Sequence, residues 1–328
     1  MLRTRYFITC YFKLYSLIPL KKLFTTLKHR YRPIYIAGRL ARKILPEKAA
    51  HFFLSRRRIS PQDLYHYTTK IYLKGIGHEA GLQKLFSSTQ DLTILEAGTG
   101  IYNPASAPFL LSGVKKLILL EPFHEKKIDY EKFSSRFLKL LDIADKESNY
   151  PLPKNGTVLQ HSRDHIHTAH FPPDVELLDN LWENTGLPDG SVDLIFSASV
   201  LEHIRHPEAV LSESARILRP DGYMINYVDL RDHFSNYPFE MFKYSERMWN
   251  LLTKQSGGAG YQNRWRISHW KRALENAGFS SQTIPLKKKN ELALHEKQYF
   301  TPEFKKMPIE DFGISVLLIS QKKHNKIK

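Results

Sequence analysis

Within Val228–Phe234, His233 stands four residues after Asp229 and one after Asp232. Either carboxylate at that spacing can orient the imidazole as a proton acceptor near neutral pH. Arg231 adds a positive charge to the same run, and downstream Arg264 and Arg266, set among Tyr261, Gln262, Asn263 and Trp265, offer planar forks suited to a carboxylate or phosphate. An RxR between aromatics also reads as a surface cation–π patch. A different chemistry is written at Glu96, Ala97, Gly98, Thr99 and Gly100, where two glycines let the backbone turn tightly and approach a ligand. The third glycine of a dinucleotide fingerprint is missing, its place taken by Asn103. His161, His165, His167 and His170 have metal-like spacing, but no cysteine accompanies them and carboxylates nearby are few. A solvated loop is the better reading, and no metal site is expected. His203, next to Glu202, reads equally as a loop-holding hydrogen-bond donor.

These groups need a sheet to position them. Leu92–Ala97 and Val114–Leu120 are apolar runs, the second ending in Glu121, and Val192–Ser197 follows the turn Pro188, Asp189, Gly190. Runs this short and this apolar predict strands buried on both faces of a parallel sheet. Pro207 opens a helix whose apolar positions Ala209, Val210, Ala215, Ile217 and Leu218 share one face, and Pro220 closes it. Asp221 and Gly222 then turn the chain into a strand at Tyr223–Tyr227, a right-handed crossover. Further strands are expected at Val175–Leu178, Phe279–Ile284 and Ile314–Ser320, with helices at Asp129–Tyr150 and Ser268–Ala277. Ligands in such sheets bind beyond the carboxyl ends of the strands, which directs attention to Ser197–His203 and Val228–His233. Phe234–Gly260, rich in aromatics and ending in Gly257, Gly258, Ala259 and Gly260, reads either as a lid over the site or as core packing through Phe239, Phe242, Tyr244 and Trp249.

From about Thr93 to Gln321 the chain resembles the class I S-adenosylmethionine-dependent methyltransferases, on three features in order: Glu96–Gly100, Glu121, and the block LPDGSVDLIFSASVLEHI with its RILRPDGYM ending. The resemblance implies a Rossmann-like seven-stranded α/β sheet and S-adenosyl-L-methionine as cofactor. It also implies contacts to that cofactor from Glu96, Ala97, Gly98, Thr99 and Gly100, from Glu121 on the ribose hydroxyls, from Asp179 or Glu183 on the adenine side, and from Ser197, Ala198, Ser199, Leu201 and His203. The catalytic group is then expected from His233 with Asp229 or Asp232, and acceptor contacts from Arg231, Arg264 and Arg266. Tyr102 stands where many members have another glycine, and GTGIYNP is closer to members that act on glycans or natural products. A small-molecule or glycan acceptor, methylated on oxygen, is expected. A nucleic-acid or protein methyltransferase using a basic arm, and a noncatalytic subunit keeping the fold, are the rivals.

Charge separates the chain into parts. Of the 328 residues, the first sixty carry fifteen Lys or Arg and one acid, Glu47, whereas residues 61–328 carry thirty-four basic and thirty-two acidic side chains. The basicity therefore sits in a leader, which disfavours a nucleic-acid grip by the catalytic part. Lys13 interrupts the leader's apolar run, so a spanning helix is disfavoured, as is a secretory signal without a small-residue cleavage site. An interfacial segment on an anionic membrane surface is expected, with an organelle transit peptide as rival. The expected organisation is a leader over 1–60, a helical cap over 61–92, and a core over 93–328 with insertions at about 124–174 and 234–262. One cysteine, Cys10, excludes internal disulfides and suits a cytoplasmic setting with or without peripheral membrane attachment.

Overall fold

A computed structural model of the chain describes residues 59–87, 91–100, 102–122, 129–155, 160–164, 174–233, 238–253 and 261–323. The leader, three of the four clustered histidines (His165, His167 and His170) and the glycine-rich end of the 234–260 segment lie outside the described residues. The sheet and its covering helices belong to the compact unit formed by 59–249 and 256–328.

Seven strands form one sheet in the order β3-β2-β1-β4-β5-β7-β6. They are β1 Thr93–Ala97, β2 Lys116–Leu120, β3 Val175–Leu178, β4 Val192–Ala198, β5 Leu218–Asp229, β6 Phe279–Lys287 and β7 Ser315–Lys322. The first five are parallel, and β7 runs antiparallel to both β5 and β6. Alternation along the central strands serves two cores, since successive side chains leave opposite faces. Ile94, Leu117, Leu194, Phe196 and Ile225 enter one cluster, under α1 (Lys70–His78) and α2 (Tyr130–Lys146). Leu95, Ile118, Ile195, Met224 and Val316 enter the other, under α3 (Pro207–Ile217) and α4 (Ile267–Asn276).

Most expected elements stand within a few residues of their predicted bounds. One differs in kind: the residues read as a turn between α3 and the fifth strand are themselves part of β5. Val192 pairs with Leu218 and Leu194 with Tyr223, so Arg219–Gly222 bulge out of register, with Asp221 at φ 63°. Arg219 closes the bulge on buried Asp193 at 2.7 Å, and the other Asp193 oxygen accepts the Thr93 N–H. Composition alone reads as a turn because the pairing partner that converts it to strand is remote in sequence.

The centre of the sheet is tied to the helical cap through Glu96. This carboxylate accepts hydrogen bonds from the Ser106 N–H (2.9 Å) and hydroxyl (2.5 Å) and from the Tyr72 hydroxyl (3.2 Å) of α1. Tyr72 in turn stacks on Phe196 of β4, with centroids 4.4 Å apart. Burial outweighs the stabilising hydrogen bonds and pushes the Glu96 carboxyl up to about 7. A folded-state value above the ordinary carboxyl value of 4.5 means that the folded chain keeps a proton the unfolded chain has released. Its contribution is therefore greatest on the acid side of the interval from 4.5 to 7 and falls as pH rises through it, by about 3 kcal/mol at ~1.4 kcal/mol per unit. Glu96→Gln cannot ionise, so urea unfolding from pH 5 to 8 is expected to show a shallower fall for this variant than for the wild type. Parallel profiles would assign the proton elsewhere.

Candidate functional site

Strand order reverses between β1 and β4, and the loops that leave their carboxyl ends face each other there. On one side, Gly98 (φ 71°) and Gly100 (φ 61°) take left-handed backbone. A Cβ on Gly98 would fall 2.4 Å from a Val200 methyl, so the two loops touch at this glycine. Thr99 is buried with its hydroxyl lacking a hydrogen-bond partner, and Glu121, immediately after β2, accepts the Gly100 N–H at 3.0 Å. Asp179 follows β3 directly and is held beside Glu121 because the Glu121 N–H bonds the Leu178 carbonyl. Glu183 lies in the next turn, bracketed by the Leu181–Asn184 bridge. An unsatisfied hydroxyl, two left-handed glycines and two acids in a row past adjacent strands suit a ligand with hydroxyls and a polar tail, as S-adenosyl-L-methionine has.

On the other side, Ser199 (φ 55°) turns the chain out of β4 into a short helical turn, Leu201–His203. The His203 imidazole is fixed by its Nδ1, 2.6 Å from the Tyr261 carbonyl, and burial pulls its pKa down. His233, after β5, lies with its ring centroid 5.0 Å from that of His203. Its Nε2 is 3.4 Å from an Asp229 oxygen, and Asp229 is also gripped by Arg231. Burial pushes the Asp229 carboxyl up, but hydrogen bonds from Arg231 and His233 overcome it and hold it well below the usual carboxylate range. Glu202, deeply buried between the two histidine loops, receives the Asp229 N–H at 3.3 Å, and burial pushes its pKa up to about 8.

The segment 261–266 straps these loops together. Gln262 accepts the His233 N–H at 3.0 Å and donates to the Arg231 carbonyl, while Asn263 donates to the Leu201 and Ile204 carbonyls at 2.8 and 3.0 Å. The Asn263 N–H completes the strap on the Glu202 carbonyl. A run that read as donors for a ligand is spent on backbone carbonyls.

The structure therefore redistributes the expected roles. Asp229, not Asp232, faces His233, and Asp232 is buried with its N–H on the Pro238 carbonyl. Arg266 is fully buried, bonded to the Leu230 and Arg264 carbonyls and lying 4.7 Å over the Phe242 ring, and burial lowers its pKa to about 9. Arg264 bonds the Tyr244 carbonyl and stacks over Phe304. Neither is an acceptor clamp, because aromatic cover and strand-end carbonyls consume them; Arg231 alone of the three stays half-exposed at the mouth. Glu96 is buried beneath the loop, with its carboxylate on Ser106 and Tyr72. Ser197 is buried against Asn226 (2.7 Å), and Ala97 and Leu201 belong to the apolar cluster below, whereas Ala198, Ser199 and His203 keep exposed surface. Phe239, Phe242, Tyr244 and Trp249 are all buried, so these four aromatics serve as packing, with Phe242 meeting Phe300, Phe304 and Phe312. Glu202 was hidden in sequence, since its partner at 229 is brought to it only by the β4–β5 pairing.

A family model described as a methyltransferase domain matches residues 154–226, from before β3 into β5. No curated protein matches the chain. Among solved structures, it is similar to a Listeria monocytogenes protein described as an S-adenosylmethionine-dependent methyltransferase, at 14% identity over 78% of this chain and 100% of that one, with TM-score 0.40. It is also similar to an S-adenosylmethionine-dependent methyltransferase of Mesorhizobium loti, at 12% identity over 75% and 100%, with TM-score 0.40. A third likeness is to phosphoethanolamine N-methyltransferase 2 of Haemonchus contortus, at 14% identity over 84% and 60%, with TM-score 0.42.

The contact between the two loops at Gly98 is directly testable. Gly98→Ala adds both a left-handed alanine, costing about 1–2 kcal/mol, and a collision worth about 1–3 kcal/mol. Val200→Ala removes both colliding methyls, so the double variant is expected to lose less stability than the sum of the two single variants, as denaturant titration of all three measures. Strict additivity would mean that the loops do not meet there.

Proposed function

We propose that the chain, a class I S-adenosylmethionine-dependent methyltransferase, methylates an oxygen of a small-molecule or glycan acceptor. The family assignment rests on the methyltransferase-domain match over 154–226, and the chain's own sheet order agrees with it. S-adenosyl-L-methionine, the cofactor of that family, supplies a sulfonium methyl already activated for attack. Glu121, the Gly98–Gly100 turn and the Thr99 hydroxyl would hold it, with Asp179 or Glu183 toward the adenine.

One observation carries the choice of oxygen: across the cleft from the glycine turn, His233 is held by the Asp229 carboxylate, which is itself fixed by Arg231. A hydroxyl must lose its proton as its oxygen attacks the methyl, and an imidazole braced by a carboxylate receives that proton at neutral pH. The bond from oxygen to methyl forms as the methyl–sulfur bond breaks, leaving a neutral thioether. Arg231 at the mouth offers a positive contact to the acceptor. Much of the rate comes from alignment, which the strap of Gln262 and Asn263 enforces on both histidine loops.

Calorimetry with S-adenosyl-L-methionine, its demethylated product and NAD separates the cofactors. The first two are expected to bind, and Glu121→Ala to weaken them at least tenfold; binding of NAD alone sinks the reading. For the acceptor side, His233→Ala is expected to lower turnover on a hydroxyl acceptor by about 10²-fold while leaving cofactor binding intact. The leader, residues 1–60, would bring the enzyme from the cytoplasm to an anionic membrane surface. Its removal is then expected to abolish cosedimentation with phosphatidylserine vesicles, whereas a salt-sensitive loss of RNA binding would favour the nucleic-acid alternative.

A further inference from the structure

Three side chains at the acceptor edge have donor atoms that converge. One ligand atom each from Glu202, His203 and His233 lie within 4.8 Å of one another. Glu202 is 1% exposed; its Oε1 takes the Asp229 N–H, while Oε2 is buried with no hydrogen-bond partner. A buried carboxylate oxygen left unpaired is costly, so the fold keeps it against its own stability. Each imidazole has one nitrogen committed and one to spare. His203 Nδ1 is held by the Tyr261 carbonyl, leaving Nε2; His233 Nε2 faces Asp229, leaving Nδ1. Metal-bound histidines have this arrangement, the second nitrogen donating to a backbone carbonyl or carboxylate that fixes tautomer and ring orientation.

We infer that Glu202, His203 and His233 form a binding site for a divalent cation of the zinc or manganese kind, with its remaining positions open toward the acceptor. Two imidazoles and one carboxylate leave a coordination position free, as catalytic zinc sites do. Two imidazoles favour zinc over magnesium, which prefers oxygen donors, with manganese between them in donor preference. The site is consequential only through the proposed acceptor reading, on which that part rests. With the cation seated, an acceptor hydroxyl takes an open position and loses its proton to solvent because coordination lowers its pKa; His233 serves as proton acceptor in the metal-free chain and as ligand in the loaded one.

The test needs no turnover. Full-length chain stripped with EDTA is titrated with ZnCl2, MnCl2 and MgCl2 in the calorimeter, and with CoCl2 while visible absorption is followed. One equivalent of zinc or manganese is expected to bind, magnesium at least tenfold more weakly, and cobalt to develop d–d bands of a four- or five-coordinate site. His233→Ala, at the cleft mouth, and the isosteric Glu202→Gln are each expected to weaken zinc at least tenfold and to erase the cobalt bands, with circular dichroism unchanged. Should Glu202→Gln fail to fold, His233→Ala alone decides. No stoichiometric binding, or binding equal in His233→Ala, overturns the site and identifies any bound metal as adventitious on other histidines. Cation binding without S-adenosyl-L-methionine binding leaves this inference standing and removes the reading of the fold's activity; the reverse result does the opposite.

Discussion

The glycine-turn wall at the carboxyl end of the sheet depends on a buried carboxylate. Glu96 closes the central strand β1 and receives hydrogen bonds from the segment beyond the glycine turn and from the helical cap, so strand, turn and cap share one fixed point. Without it the Ser106 N–H and hydroxyl and the Tyr72 hydroxyl would be buried and unpaired, a larger penalty than the loss of any one apolar contact. The glycine turn can be open and left-handed because what lies beneath it is pinned.

The opposite wall is built differently. The loops after β4 and β5 carry the reactive side chains, and no single contact anchors them; a strap of consecutive polar residues, 261–266, spreads its hydrogen bonds over carbonyls from 201 to 231. The cleft thus has one wall held by a point and one held by a line. Buried Arg266, on Phe242 and the Leu230 carbonyl, joins that line to the aromatic cluster of Phe300, Phe304 and Phe312.

Much of this was legible in the sequence. Short apolar runs mark the strands because a doubly covered parallel sheet permits little else, and Glu121 and His233 stand out because they lie at strand ends, although spacing leaves Asp229 and Asp232 equal candidates for the histidine's partner. Arg264 and Arg266 were misread because a guanidinium looks the same in sequence whether it meets water or a carbonyl twenty to thirty-six residues away. Glu202 was passed over for a related reason: its importance lies in the emptiness around one oxygen, and local spacing carries no trace of that. The π-helical turn at Tyr65–Thr69, which carries the buried Thr69 hydroxyl onto the Ala105 carbonyl, likewise has no local signature.

The placement of β7 between β5 and β6 has a consequence for the order in which the sheet assembles. β6 is made before β7 and among the described strands pairs with β7 alone, so until residues 315–322 arrive it is a strand without a ladder. Its alternating exposure, with Pro285 near one end and Lys287 at its close, suits a segment that must wait in solvent without recruiting another chain's edge. β7 therefore covers two edges at once, so a chain cut before residue 315 would leave both β5 and β6 with unpaired backbone facing solvent.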